Sequence, residues 1–121
     1  MGSEKTFENK VKKFLEEQGC YFVKYWGGGQ FTKAGIPDIL CSCNGLFIGI
    51  EIKAPNGKPS PLQIHNLKKI DESGGLAILL YPKDFEKFKK LVHEINAHNP
   101  KEVVNTYMEL WKVWWEYADK L

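Results

Sequence analysis

Residues 37–53 read Pro37-Asp38-Ile39-Leu40-Cys41-Ser42-Cys43-Asn44-Gly45-Leu46-Phe47-Ile48-Gly49-Ile50-Glu51-Ile52-Lys53. Two apolar runs flank Asn44-Gly45, the dipeptide best suited to a two-residue turn in which both φ angles are positive. The stretch therefore predicts a β-hairpin. A two-residue turn also sets the register, pairing Cys43 with Leu46, Cys41 with Ile48 and Asp38 with Glu51. Side chains alternate across a strand, so Asp38, Leu40 and Ser42 share one face with Phe47, Gly49, Glu51 and Lys53. Opposed Cβ atoms sit about 4.5–5.5 Å apart, which brings two carboxylates together at one end of the hairpin. Like charges so placed destabilise the pair, and a shared cation relieves them.

Working outward, residues 4–18 predict a helix, with Phe7, Val11, Phe14 and Leu15 on one stripe and Gly19 as its stop. Cys20 to Trp26 has the aromatic and β-branched composition of a strand, and Gly27-Gly28-Gly29 reads as a turn. A helix over 60–73 opens with Ser60, Pro61 and Gln63, the pattern of a capping box, and ends at Gly74-Gly75. A short strand follows at 76–81. Asp84 opens a helix striped by Phe85, Phe88, Leu91, Val92 and Ile95. A last helix, from about 102 to 120, carries Val104, Met108, Trp111, Trp115 and Ala118. The order predicts an α/β fold: an antiparallel meander of three strands, then a crossover helix to a fourth strand parallel to 46–53, with helices flanking the small mixed sheet. We expect a single domain over residues 1–121, its core at about 4–82, with the helices of 84–121 serving packing or dimerisation.

Composition narrows the class. The chain of 121 residues is 43% hydrophobic and 26% charged, as globular domains are. No apolar run approaches the roughly 18 residues of a membrane-spanning helix, and the polar N-terminus does not read as a signal peptide, so a cytoplasmic protein is expected. Cys20, Cys41 and Cys43 are an odd count in apolar stretches, which suits reduced, buried thiols. All 17 basic residues are Lys. The net charge is about +3 over residues 1–100 and about −1 over the rest, a balance that permits a nucleic-acid partner without requiring one.

Two carboxylates with no Cys or His beside them suit a hard cation, Mg²⁺ or Mn²⁺, which keeps waters and completes its shell with substrate phosphate. Such an ion polarises a phosphoryl oxygen and activates water for phosphodiester hydrolysis. Lys53, on the same face as Glu51, is placed to orient that water or to offset charge developing on phosphorus. Glu-x-Lys alone is common: Glu8-Asn9-Lys10 is another instance, and a solvated strand face with a surface ion pair accounts for Glu51 and Lys53 singly. The register that opposes Asp38 to Glu51 favours a metal site.

Gly35-Ile36-Pro37-Asp38, then Glu51-Ile52-Lys53, then Gln63 after Lys58-Pro59-Ser60-Pro61, resembles the PD-(D/E)XK nuclease core, and more narrowly its VRR-NUC (virus-type replication-repair nuclease) branch. The resemblance spans about residues 4–82. It implies a restriction-endonuclease-like fold in which Asp38, Glu51 and the main-chain carbonyl of Ile52 bind the ion while Lys53 assists attack. It also implies that Glu8 approaches the metal directly or through water, and that Gln63 closes the far side of the site. Glu8 is equally well explained by an i, i+4 pair with Lys12, and Gln63 by its capping box.

Lys33 and Lys58, on loops beside the inferred site, are candidates for DNA phosphate contact, with solvated loop lysines as the plain alternative. His65 has no required part in metal-assisted hydrolysis. The C-terminal aromatics Tyr107, Trp111, Trp114, Trp115 and Tyr117 exceed what one packed face needs, which suggests a homodimer interface. The expected activity is a Mg²⁺- or Mn²⁺-dependent endodeoxyribonuclease acting on branched or structured DNA in replication, recombination or repair, of bacterial or phage origin. The branched substrate comes from the family resemblance alone. The alternatives are a non-catalytic DNA-binding or assembly module on the same fold, and a ribonuclease.

Overall fold

A computed structural model describes residues 3–26, 33–107, 110 and 112–120. The predicted glycine turn at 27–29, and Met108 and Trp111 of the last helix, lie outside them. Among the described residues the elements follow in order: α1 (Ser3–Glu17), β1 (Tyr21–Lys24), β2 (Ile39–Cys43), β3 (Leu46–Ile52), α2 (Pro61–Glu72), β4 (Leu76–Leu80), a 3₁₀ turn (Pro82–Asp84), α3 (Phe85–Ala97), α4 (Pro100–Thr106) and α5 (Val113–Ala118).

The strands form one sheet in the order β1-β2-β3-β4. β1–β2 and β2–β3 are antiparallel, and β3–β4 is parallel, joined through α2. The β2–β3 register follows the turn as expected: Cys43 opposes Leu46, Cys41 opposes Ile48 and Leu40 opposes Gly49. Asn44 and Gly45 take φ of 50° and 82°, the paired positive angles of a type I′ turn, whose twist matches that of the strands. The Asn44 amide also donates to the carbonyls of Ile95 (2.8 Å) and His98 (3.2 Å), tying the turn to the end of α3.

Alternation along the strands gives the sheet two apolar faces. Ile39, Cys41, Ile48, Ile50, Ile52, Ile78 and Leu80 face one core with Phe7, Val11, Leu15, Phe88, Leu91 and Val92 of α1 and α3. Ala77 and Leu79 face a smaller core with Ile64 and Leu67 of α2 and Trp114 of α5. Both faces of β4 are covered, and all five of its residues are buried, which is why it reads as an unbroken apolar run.

The C-terminal region departs from the single helix expected over 102–120. The first segment ends at Thr106; the Tyr107 amide bonds back only three residues, to Val104, closing α4 with a tight turn. Val103, Leu110 and Trp114 are buried, while Val104 and Trp115 are partly buried. The Trp114 indole N–H donates to the Ala77 carbonyl at 2.9 Å. Tyr107, Trp115 and Tyr117 pack at the margins of the two cores. Among the described aromatics Trp114 is thus taken up within the chain, while Tyr107, Trp115 and Tyr117 stay partly exposed.

Candidate active site

The site forms at one end of the sheet, where the last residue of β1, the residue preceding β2 and the C-terminal end of β3 meet, between α1 and the start of α2. Asp38 and Glu51 arrive there through the hairpin register. Asp38 is held by its own backbone and side chain: its carbonyl accepts from the Tyr25 amide at 2.8 Å, extending the β1–β2 pairing, and its Oδ2 accepts from the Ile52 amide at 2.8 Å. The loop before it is pinned by Gly35, at φ +79°, whose missing side chain makes room for α2. A Cβ there would stand 2.6 Å from Leu62 Cγ and 2.9 Å from the Leu62 carbonyl oxygen.

Glu51 is 2% exposed, and its Oε1 has no hydrogen-bond partner. Its other oxygen accepts from the Gln63 amide nitrogen at 3.1 Å and faces Lys53 Nζ at 3.7 Å. Burial, and next the adjoining Asp38 carboxylate, push the Glu51 carboxyl up to about 9, against the smaller opposing pull of Lys53. Near neutral pH this carboxyl therefore keeps its proton unless a cation joins the pair. Gln63 serves two purposes at once. Its oxygen accepts from the Ser60 amide (2.8 Å) in the capping box of α2 and from Lys53 Nζ (3.0 Å), which leaves its nitrogen free for Glu51.

Glu8 is buried and carries three lysine contacts, with Lys24 at 2.7 Å and Lys5 and Lys12 at 3.4 Å. The pair with Lys12 that helix spacing predicts is therefore present together with an orientation toward the site. Burial alone would raise the Glu8 carboxyl, but Lys24 and Lys5 outweigh it and hold the group below its ordinary value. Lys24 also reaches Asp38 Oδ1 at 3.2 Å. Burial acts to lower the Lys24 ammonium's pKa, and the two carboxylates overcome that to raise it. Lys24 is the residue that sequence reasoning missed; the signal was its place at the end of β1, one register step from Asp38.

Two of the remaining candidates, both loop lysines, lie outside this cluster, whereas Ile52 joins it through its backbone amide. Lys33 and Lys58 are exposed, and the Lys33 carbonyl accepts from the Tyr25 hydroxyl at 2.9 Å. Ile52 is fully buried at the end of β3. Among the described residues, no three Asp, Glu, His or Cys side chains converge closely enough to hold an ion by themselves, since the Lys24 ammonium lies between Glu8 and Asp38. The orphaned Glu51 oxygen beside Asp38 nonetheless fits a divalent cation of the kind that takes one or two carboxylates and draws its other ligands from water and phosphate.

No curated protein gives a significant match to the chain. The match that is found is to a family of PD-(D/E)XK-like nucleases, so the broader sequence resemblance stands, and with it a restriction-endonuclease-like sheet; the VRR-NUC branch is not the family matched. The model of the archaeal Holliday junction resolvase (Hjc) family matches residues 2–101, and the chain belongs to that family.

Proposed function

We propose that the protein is a divalent-metal-dependent endonuclease that hydrolyses phosphodiester bonds in branched DNA, with four-way junctions as its substrate class. The observation that carries the metal dependence is the buried, unpartnered Glu51 oxygen against Asp38. Asp38, Glu51 and the Ile52 carbonyl would hold Mg²⁺ or Mn²⁺, with Glu8 acting at one remove through Lys24. Bound there, such an ion supplies polarisation of the phosphoryl oxygen and a lowered pKa for the attacking water.

The chain's own residues do the positioning. Gln63 fixes the Lys53 ammonium at 3.0 Å and braces Glu51 from the other side, so Lys53 is presented to a phosphate oxygen as charge develops there. Lys24 keeps Glu8 and Asp38 from repelling each other and adds positive charge where a DNA backbone arrives. Lys33 and Lys58 extend that positive charge along the loops on either side. With 17 Lys and no Arg, the protein has little means of bidentate base-edge readout, which favours recognition of backbone and shape. A junction offers two equivalent strands, so two copies of the chain acting as a homodimer would cut them symmetrically, in recombination or repair.

The test is cleavage of a synthetic four-way junction with Mn²⁺, beside Asp38→Ala and beside an RNA junction of the same sequence. We expect symmetric nicks in DNA by the wild type, loss of at least about a thousandfold in the variant, and intact RNA. Cutting by both proteins, or by neither where both bind, would sink the catalytic assignment; equal cutting of RNA would favour the ribonuclease alternative.

A further inference from the structure

Trp26 lies just past β1 with 68% of its surface exposed. The Lys5 ammonium stands 5.2 Å from its ring centroid and the Lys24 ammonium 5.5 Å, both within cation–π range. Lys24 is the same side chain that contacts Glu8 at 2.7 Å and Asp38 at 3.2 Å. One lysine head therefore spans the indole and the candidate catalytic carboxylates, placing an exposed aromatic surface within a few nucleotide steps (about 3.4 Å each) of the bond to be cut.

We propose that Trp26 is a stacking platform for a nucleobase of the DNA substrate that is left unstacked at the branch point, with Lys5 holding the phosphate of that nucleotide. The proposal rests on the branched-DNA nuclease reading and adds to it a cause for branch preference. A base inside a continuous duplex has both faces covered and offers an indole nothing. A base at a branch point can expose one face. Stacking is sequence-tolerant, which suits a protein without Arg-based readout. The adjoining ammonium groups set the chemistry of the occupant: an aromatic ring attached to an anion, as a nucleotide is, complements an exposed indole beside two lysines. A second copy of the same exposed edge would bring like charges together.

The test uses the full-length chain and a four-way junction carrying 2-aminopurine at the branch nucleotides, with EDTA present so that binding is read without cleavage. Wild type is expected to quench the probe. Trp26→Ala should lose the quenching and bind the junction about 5- to 100-fold more weakly, while Trp26→Phe retains most of both and linear duplex binding changes little. An unchanged melting temperature shows that the variants are folded. Equal weakening on duplex and junction, or an altered oligomeric state of Trp26→Ala in sedimentation, would overturn the stacking role. If wild type binds the junction, and cuts it once Mn²⁺ replaces EDTA, while Trp26→Ala binds it equally well, stacking alone falls. If wild type neither binds nor cuts it, the nuclease reading falls with it.

Discussion

The Gln63 side-chain nitrogen donates to Glu51 Oε2 at 3.1 Å while the oxygen of the same amide accepts from the Ser60 amide at 2.8 Å. Helix capping and site bracing are thus one rigid arrangement, and substitution can separate them. Gln63→Glu keeps an acceptor for Ser60 and Lys53 but turns a negative oxygen toward Glu51. Gln63→Ala removes both. We expect Gln63→Ala to lose about 1 kcal/mol of stability, as helix-cap losses do, and Gln63→Glu less. Both should cut the junction at least about tenfold more slowly, because Lys53 and Glu51 lose their common support. Thermal melts and initial rates measured in parallel check this; wild-type cleavage by Gln63→Glu would leave Gln63 a cap and nothing more.

Lys24 provides the second prediction. Its ammonium is the shortest contact of a buried Glu8 and also the bridge to Asp38. Lys24→Met retains the bulk of the side chain and leaves two carboxylates facing each other. The expected cost is about 1–3 kcal/mol, discounted because the lysine side chain stays partly exposed. Glu8, held below its ordinary pKa of 4.5, contributes stability that is present above about pH 5 and is lost as pH falls through its folded value. The deficit of Lys24→Met should therefore be largest near neutral pH and shrink in acid, where Glu8 is protonated with or without its partner. Lys24→Arg should recover most of it. Chemical denaturation at several pH values reads the difference; a deficit independent of pH would mean that lost packing, not charge, is responsible.

What the sequence made legible follows the range of the interactions involved. The hairpin was readable to the residue because Asn44-Gly45 fixes both turn and register locally, and that register alone delivers Asp38 opposite Glu51. The capping box of α2 was readable too, but not that Gln63 could cap and brace Glu51 together, which depends on how closely α2 approaches the end of β3. Lys24 stayed hidden because its place comes from the β1–β2 pairing, Lys24 against Ile39, across a loop whose length leaves that register open. The division of the C-terminal helix stayed hidden for a similar reason. Spacing over 102–120 suits one continuous stripe, but α4 ends at Thr106, α5 begins at Val113, and Trp114 joins the α2–β4 core. Residues past 101 also lie outside the family match, so this covering of α2 and β4 had no resemblance to guide it.

Gly35 tests how tightly the Asp38 loop must sit on α2. A side chain there meets the Leu62 carbonyl oxygen, part of the helix backbone, and requires a positive φ that only glycine takes without strain. Gly35→Ala should cost about 1–3 kcal/mol. Because Asp38 is only three residues on, relief of the clash moves the carboxylate, and cleavage should fall by more than the loss of folded protein explains. Rates at a temperature where the variant is fully folded make the comparison. A variant that is destabilised yet fully active would show that the loop recovers its geometry without Gly35.

Glu51 carries the clearest pH signature. Its carboxyl is raised from 4.5 to about 9, by burial first and by Asp38 second. Between those values the unfolded chain has released this proton and the folded one retains it. The group's contribution to stability is therefore intact below about pH 5, declines as pH rises, and levels off above about pH 9, by at most about 1.4 kcal/mol per pH unit. Glu51→Gln removes this slope. At about pH 8 the variant should be more stable than wild type by a few kcal/mol while losing DNA cleavage. A divalent ion bound by Asp38 and Glu51 requires the proton to leave, so Mn²⁺ should raise the wild-type melting temperature more at about pH 8 than at about pH 5, with proton release visible in calorimetric titrations. Glu51→Gln should show neither effect. Parallel stability–pH curves for the two proteins, or Mn²⁺ stabilisation that persists in the variant, would place the ion elsewhere.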